Sequence, residues 1–325
     1  MKFALTGVGS GSTARPELLM QVAQKAEALG YESVWIPEHL AVPVNITSRY
    51  PYSADGKFPG GPGAALHDPF VALGFVAACT KTIKLGTGVF VLPLRNPLAV
   101  AKAAASVDVL SQGRLLFGIG IGWLEDEFNA VGMPFKDRAA RTREWIAMLK
   151  VLWTEKTPQF SGRFHHFPSL GFNPKPVQKP HPPLVFGAVS EIGARRAART
   201  CDGIYPMFLD SYGDPDRFED LREAVLREAE RIGRDVSDFR MYAFCSGLVV
   251  EPGDEAAARS PRMTLTGTAD QVLAEVERFA AAGYSHLTMH FDVRSGTMQE
   301  YLEIVQRFAE QVIPAARSIT ARSFT

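Results

Sequence analysis

The amino-acid sequence predicts an α/β fold, a closed (β/α)8 barrel, and three observations carry that prediction. Short apolar segments alternate with helical ones eight times along the 325 residues. The strand segments are apolar throughout, the pattern of parallel strands covered on both faces. Glycines cluster just past strand ends, as at Gly118, Gly120 and Gly122, where α/β proteins place ligands.

In chain order, Phe3 to Val8 is a short strand, followed by the loop Gly9-Ser10-Gly11-Ser12. Pro16 suits the first position of a helix whose apolar face is Leu18, Leu19, Val22, Ala26 and Leu29 and whose stop is Gly30. Ser33 to Pro37 is the second strand and delivers Glu38 and His39 at its C-terminal end. From Leu40 to His67 periodicity vanishes, while Tyr50, Tyr52, Phe58 and Gly60-Gly61-Pro62-Gly63 accumulate. A loop this long inside a compact domain is usually functional, here a lid or substrate wall, and disordered segments rarely carry so many aromatics. Asp68-Pro69 caps a helix running to about Thr80.

Ile83 to Leu92 is too β-branched and too short for a helix and reads as a buried strand. Pro93 and Pro97 punctuate the turn after it. Ala99, Ala103, Val107 and Leu110 recur at helical spacing, with Gly113 at the stop. Leu115 to Ile119 is the fourth strand, and Asp137 to Trp153 is a long helix with Trp145, Leu149, Leu152 and Trp153 on its apolar side. Lys156 to Pro183, ending in a proline-rich run, reads as an extended crossing segment. The alternation then resumes. Leu184–Gly187, Gly203–Met207, Arg240–Val250 and Ser285–Phe291 are strands, while Glu191–Thr200, Pro215–Ile232, Thr268–Ala282 and Met298–Ala316 are helices.

The expectation is one barrel domain over residues 1–325, with insertions after strand two and before strand five. The rival is a doubly wound sheet, supported by Gly7-x-Gly9-x-x-Ser12 after strand one and acidic Glu38 after strand two. Against it, Ser12 replaces the third glycine, Pro16 delays the helix, and the alternation continues past six strands.

Lys plus Arg and Asp plus Glu number 35 each, so the charge balance gives no footprint for nucleic acid or an anionic membrane. The apolar fraction of 46% suffices for a large core. Cys79, Cys201 and Cys245 are scattered and form no CxxC pair, so neither a metal site nor a disulfide is expected, which fits a reducing compartment. Met1-Lys2-Phe3 enters a strand with no signal peptide, and no apolar run approaches membrane-span length. A cytoplasmic protein acting on a small molecule is expected.

Several motifs occur together. They are Ser33-Val34-Trp35-Ile36-Pro37-Glu38-His39, Leu85-Gly86-Thr87-Gly88-Val89, and Leu92-Pro93-x-Arg95-Asn96-Pro97. Asp108-x-Leu110-Ser111-x-Gly113-Arg114, Gly118-x-Gly120-x-Gly122-Trp123 and Phe172-Asn173-Pro174-Lys175-Pro176 follow, then Ala194-Arg195-Arg196-Ala197-Ala198 with Asp202-Gly203. In this combination, and in the inserted Tyr50-Pro51-Tyr52-Ser53-x-Asp55-Gly56, the chain resembles the bacterial luciferase-like superfamily of flavin- and deazaflavin-dependent oxidoreductases. Within it the resemblance is to the F420-dependent branch, and it covers nearly the whole chain.

The resemblance implies a homodimeric barrel with the cofactor at the C-terminal ends of the strands. It implies hydride transfer between F420 and a small organic substrate. FMN is the alternative cofactor, which would permit monooxygenation, and a barrel that binds flavin without turnover is a further alternative. A cofactor-free barrel lyase is more remote. The implied cofactor-binding residues are Glu38, His39, Gly88, Val89, Ile121, Gly122, Gly187, Ala188, Val189 and Ser190. A cis peptide at Gly88–Val89 is implied behind the central ring. The anionic oligoglutamate tail of F420 implies a basic track leading from the pocket mouth.

His39 is the candidate catalytic residue. A lone histidine is usually structural, but one at the rim of a barrel beside Glu38 is placed for chemistry, and imidazole can bind or protonate near neutral pH. Glu38 reads equally as a salt-bridge partner. The glycines from Gly118 to Gly122 serve close strand–helix packing as well as a backbone surface for a planar ring. Trp123, Tyr50 and Tyr52 are candidate walls of the substrate pocket. Some sugar-phosphate dehydrogenases of the superfamily carry a catalytic glutamate where Trp123 stands, which counts against that reaction here. Gly187-Ala188-Val189-Ser190 precedes a helix whose N-terminus suits a phosphate. Relatives often have a second glycine in place of Ala188, and Glu191 adds negative charge there, which Arg195 or Arg196 would offset.

Overall fold

The computed structural model describes residues 1–53, 55–58, 60–208, 219–249, 265–291 and 297–324. Eight strands form the inner layer: β1 (Lys2–Thr6), β2 (Ser33–Ile36), β3 (Lys84–Thr87), β4 (Leu115–Gly120), β5 (Leu184–Gly187), β6 (Gly203–Tyr205), β7 (Arg240–Val249) and β8 (His286–Phe291). Each pairs in parallel with the next. β8 returns to β1, with Lys2 opposite His286, so the sheet closes and the open-sheet alternative is excluded.

The strands are short and uniformly apolar because they are buried on both sides. Inside the ring, Trp35 packs with Ala4, Leu116, Val185, Tyr205 and Tyr242. Its indole lies 4.9 Å from the Tyr205 ring and 5.3 Å from that of Tyr242. Outside the ring, α1 (Pro16–Ala28), α2 (Pro69–Cys79), α3 (Pro97–Leu110), α4 (Glu125–Ala130), α5 (Arg138–Thr154), α6 (Glu191–Thr200), α7 (Glu219–Ile232), α8 (Ala269–Ala281) and α9 (Met298–Gln311) supply the outer layer. The helix starts follow from local chemistry. Asp68 accepts the N–H groups of Phe70 and Val71, and Asn96 accepts those of Leu98 and Ala99, each just before a proline at the first helical position. Gly113 ends the α3 turn at φ +83°, a conformation open to glycine without a side-chain clash.

The structure departs from the sequence reading in four places. The strand expected from Ile83 to Leu92 is interrupted: β3 stops at Thr87 and Phe90–Val91 rejoins β4 opposite Ile119 and Gly120, while the Gly88–Val89 peptide between them is cis, as the resemblance implies. Gly86 leaves room for Trp35, since a Cβ there would lie 2.3 Å from the indole. Thr87 Oγ1 donates to Gly118 O at 2.6 Å, which spends a side chain on the neighbouring strand. Second, Lys156–Pro183 contains a hairpin, Phe160–Ser161 with His166–Phe167, whose tip is held by Glu144 accepting from the N–H groups of Arg163, Phe164 and His165. Third, α4 was not anticipated. Fourth, the last helix breaks at Val312 into α9 and Ile313–Ala316, because Pro314 has no N–H and its ring opposes a continuous turn. Residues 215–218 of the expected seventh helix, and Val250 of the seventh strand, lie outside the described residues.

Among the described residues no helix is long and apolar enough to cross a membrane, and no three His, Cys, Asp or Glu side chains gather to hold a metal ion.

Candidate active site

A cavity of about 710 Å³ opens at the C-terminal ends of the strands. Its floor is largely main chain: Gly88 and Val89 after β3, Gly120 to Gly122 at the end of β4, and Gly187 at the end of β5. The glycines make room for a neighbour as well as for a ligand. A Cβ on Gly120 would lie 2.8 Å from the Val89 side chain, and one on Gly187 would lie 3.0 Å from it. Gly122, at φ +80°, is held equally close by Phe128 and Val91. The glycine run therefore serves close packing, with Gly118 against Thr87, Gly120 against Val89 and Gly122 against Phe128 and Val91.

β2 carries Glu38 and His39 to the rim. Glu38 is buried, with one carboxylate oxygen 2.5 Å from Arg95 Nη2 and the other accepting the Val91 N–H. Burial pushes its pKa up to about 7, against the opposing pull of Arg95 and the Val91 N–H. Its side chain thus braces the segment after β3, and Arg95 passes the bracing on to Asp68 at the start of α2.

His39 turns the other way. Its Nδ1 lies 3.1 Å from Glu127 Oε2 on α4, while Glu127 Oε1 accepts the N–H groups of Leu40 at 2.5 Å and Ala41 at 3.1 Å. Glu127 is buried, and its two oxygens are filled by three donors. A carboxylate can only accept, so this contact makes Nδ1 the protonated nitrogen, and Nε2 has no partner among the described residues. The imidazole is flanked by Phe58 at 5.0 Å and Trp123 at 5.9 Å, ring to ring.

The long segment after β2 forms the far wall. Tyr50 packs edge-on against Tyr52, Phe58 and Trp123, with centroids 5.3, 5.3 and 4.9 Å apart, and Phe58 reaches Trp123 at 5.3 Å. Burial raises the Tyr50 phenol above its ordinary pKa, so it stays neutral. The segment is tied down at both ends. Asp126 accepts the N–H and hydroxyl groups of both Thr47 and Ser48, and Gly11 donates to Ala65 O beside the bridge between Ser10 and Leu66.

Of the residues predicted from sequence, Glu38, His39, Gly88, Val89, Ile121, Gly122, Gly187, Trp123, Tyr50 and Tyr52 all line this cavity. Ala188, Val189 and Ser190 continue from Gly187 to the start of α6 beyond its lining, and the Ser190 hydroxyl is engaged in accepting the Gly193 N–H. Sequence reasoning missed Glu127, Arg138, Met207 and His290. His290 was findable, because it stands one residue before the end of a predicted barrel strand. Arg138 donates to Gly122 O and stacks on Phe135, and burial followed by repulsion from Arg196 lowers its pKa.

The sequence model of the luciferase-like monooxygenase family matches residues 2–287. This chain belongs to that family. Among curated luciferase-like relatives, an uncharacterised Mycobacterium tuberculosis protein is 35% identical over 56% of the chain, and the match spans 64% of that relative's length. An F420-dependent glucose-6-phosphate dehydrogenase of Amycolatopsis mediterranei is 24% identical over 94% of this chain and 96% of its own. An FMNH2-dependent dimethylsulfone monooxygenase of Pseudomonas putida is 28% identical over 56% and 51%. The luciferase-like fold matches a monooxygenase from Streptomyces bottropensis with a TM-score of 0.77, 23% identity and coverage of 97% and 99%. It also matches an F420-dependent secondary alcohol dehydrogenase at 0.76, 19% identity and coverage of 98% and 99%.

Proposed function

We propose that this luciferase-like protein is an F420-dependent oxidoreductase that moves a hydride between the deazaflavin and a small organic substrate. The reading rests above all on His39: a histidine at the cavity rim with one nitrogen fixed by a buried carboxylate and the other without a partner among the described residues. When bound, the deazaflavin supplies or takes up the hydride. The main-chain floor from Gly88 to Gly122 fits a planar ring, and the volume falls within the range of small-molecule sites. Gly187, Ala188, Val189 and Ser190, with Arg138 nearby, would hold the phosphate. His39, with Nδ1–H held toward Glu127, accepts at Nε2 the proton released as the hydride leaves the substrate and returns it in the reverse direction, while Tyr50, Tyr52, Phe58 and Trp123 orient the substrate and keep water out.

F420 is favoured over FMN because the F420-dependent relative aligns along 94% of the chain and the FMNH2-dependent one along 56%. The protein would act as a cytoplasmic homodimer, binding neither nucleic acid nor membrane. The dimer is supported by α2, which is apolar almost all round yet leaves Val71 72% and Phe75 41% exposed.

Fluorescence titration with F420 and FMN separately tests the cofactor, with submicromolar F420 binding and much weaker FMN binding expected. Tight FMN binding without an F420 response would move the protein to the monooxygenase reading. Binding without turnover of any substrate would make it a carrier. His39→Ala should keep cofactor affinity and fold while single turnover falls roughly 10²–10⁴-fold. An unchanged rate removes His39 from the mechanism.

A further inference from the structure

Glu38 at the end of β2, Arg95 just before α3 and Asp68 just before α2 meet behind the floor of the active-site cavity. Arg95 Nη2 lies 2.5 Å from Glu38 Oε1, and Arg95 Nη1 donates to Asp68 Oδ2. Glu38 Oε2 accepts the N–H of Val91, which lines the cavity together with Gly88 and Val89. The guanidinium also sits 4.9 Å from the ring of Phe90, which packs on Phe70 of α2 and Phe117 of β4.

Two observations show how this chain of contacts reaches a ligand. The Glu38 side chain has no exposed surface, so a molecule in the cavity meets the residues it holds and not the carboxylate. Arg95 and Asp68 stand outside the cavity lining altogether. A charge-assisted hydrogen bond on Val91 therefore fixes the main chain after β3 from behind, and its strength depends on what holds Glu38.

We propose that Glu38, Arg95 and Asp68 are positioning residues that fix the main chain against which the cofactor ring rests, so that cofactor affinity depends on a guanidinium outside the cavity. The inference rests on the reading of this cavity as the seat of the deazaflavin. It also makes that affinity depend on pH. The charged groups acting on Glu38 are Arg95, Asp68 and, from α4, Glu127, with His39 the next residue along β2. Burial raises the Glu38 pKa to about 7 against the pull of Arg95 and the Val91 N–H, and Glu127 and Asp68 add to the rise. Below that pH the carboxyl is neutral and its hold on Arg95 weakens.

The test is fluorescence titration of the whole protein with F420 and, separately, FMN across neutral pH, with a melting temperature at each pH. Affinity for F420 should fall roughly tenfold as pH drops below about 7, the worth of one charge-assisted hydrogen bond. Glu38→Gln keeps an acceptor for Val91 but no charge for Arg95, so it should bind at the low-pH level with that step missing. His39→Ala should keep the step. Arg95→Gln should lower affinity by the same roughly tenfold, and Arg95→Lys should recover part of it. Because Arg95→Gln alone strands a buried carboxylate, Glu38→Gln with Arg95→Gln is the variant that buries no charge, and it should bind no worse than Glu38→Gln. Full affinity in that double variant, or a step that survives Glu38→Gln, would overturn the relay. So would a lower melting temperature with affinity and pH profile unchanged. FMN binding with the same step and the same losses, and no F420 response, would overturn the F420 reading and leave the relay standing. Failure to bind either cofactor would remove both.

Discussion

Replacing Glu127 separates two jobs that one carboxylate performs. In Glu127→Ala, the N–H groups of Leu40 and Ala41 and the Nδ1–H of His39 lose their acceptor together. Hydrogen bonds to a charged group contribute about 1.5–3 kcal/mol each, but the two peptide groups lie at the base of a surface segment and regain water, so a loss of about 2–4 kcal/mol is expected. Glu127→Gln is the sharper variant. Its amide oxygen can still accept from Leu40 and Ala41, but the amide N–H₂ now faces Nδ1. The imidazole must adopt the other tautomer, with its proton on Nε2, and the stability cost should shrink to about 1 kcal/mol. Single turnover should nevertheless fall roughly 10²–10⁴-fold, with an altered pH profile, because the cavity-facing nitrogen presents the wrong protonation state. Urea unfolding, cofactor titration and single-turnover rates across pH are the measurements. On a His39→Ala background, Glu127→Gln should cost nothing further in rate. Wild-type turnover and an unshifted profile in Glu127→Gln would refute the reasoning.

Two further outcomes follow from packing. A Cβ on Gly118 would lie 2.0 Å from Thr87 O, a main-chain atom that cannot rotate away, so Gly118→Ala should destabilise by at least about 3 kcal/mol or prevent folding. Gly171→Ala, with open space around the added carbon, should stay within about 0.5 kcal/mol by urea midpoint, and equal behaviour of the two would void the argument. Val71→Glu should shift the species seen by light scattering from dimer to monomer with the barrel still folded. A wild-type monomer at micromolar concentration would remove the α2 interface.

The barrel was legible because its strands are buried on both faces and so are written as unbroken apolar runs. Ser33–Pro37 and Leu184–Gly187 matched their strands to within a residue for that reason. His39 was legible because the end of a strand is a fixed place in this architecture. Glu127 was not, since its partner lies 88 residues earlier and nothing local marks the pairing. The helix that carries it has only six residues, too few for a periodic apolar face, and its acidic start reads as ordinary surface. The break after Thr87 was invisible in composition because both halves are equally apolar. What divides them is the size of Trp35 and the close approach of Gly118, which only the closed ring brings together.

Asp126 and Glu127 stand next to each other, one holding Thr47 and Ser48, the other holding Leu40, Ala41 and His39. The wall segment and the imidazole thus hang from a single peptide. Whatever orders the segment around Tyr50, a substrate settling against Trp123 included, favours the arrangement in which the imidazole is also oriented, and thermodynamic reciprocity requires the converse. Under the proposed function, ordering of the wall segment and orientation of the histidine are then coupled through one short helix.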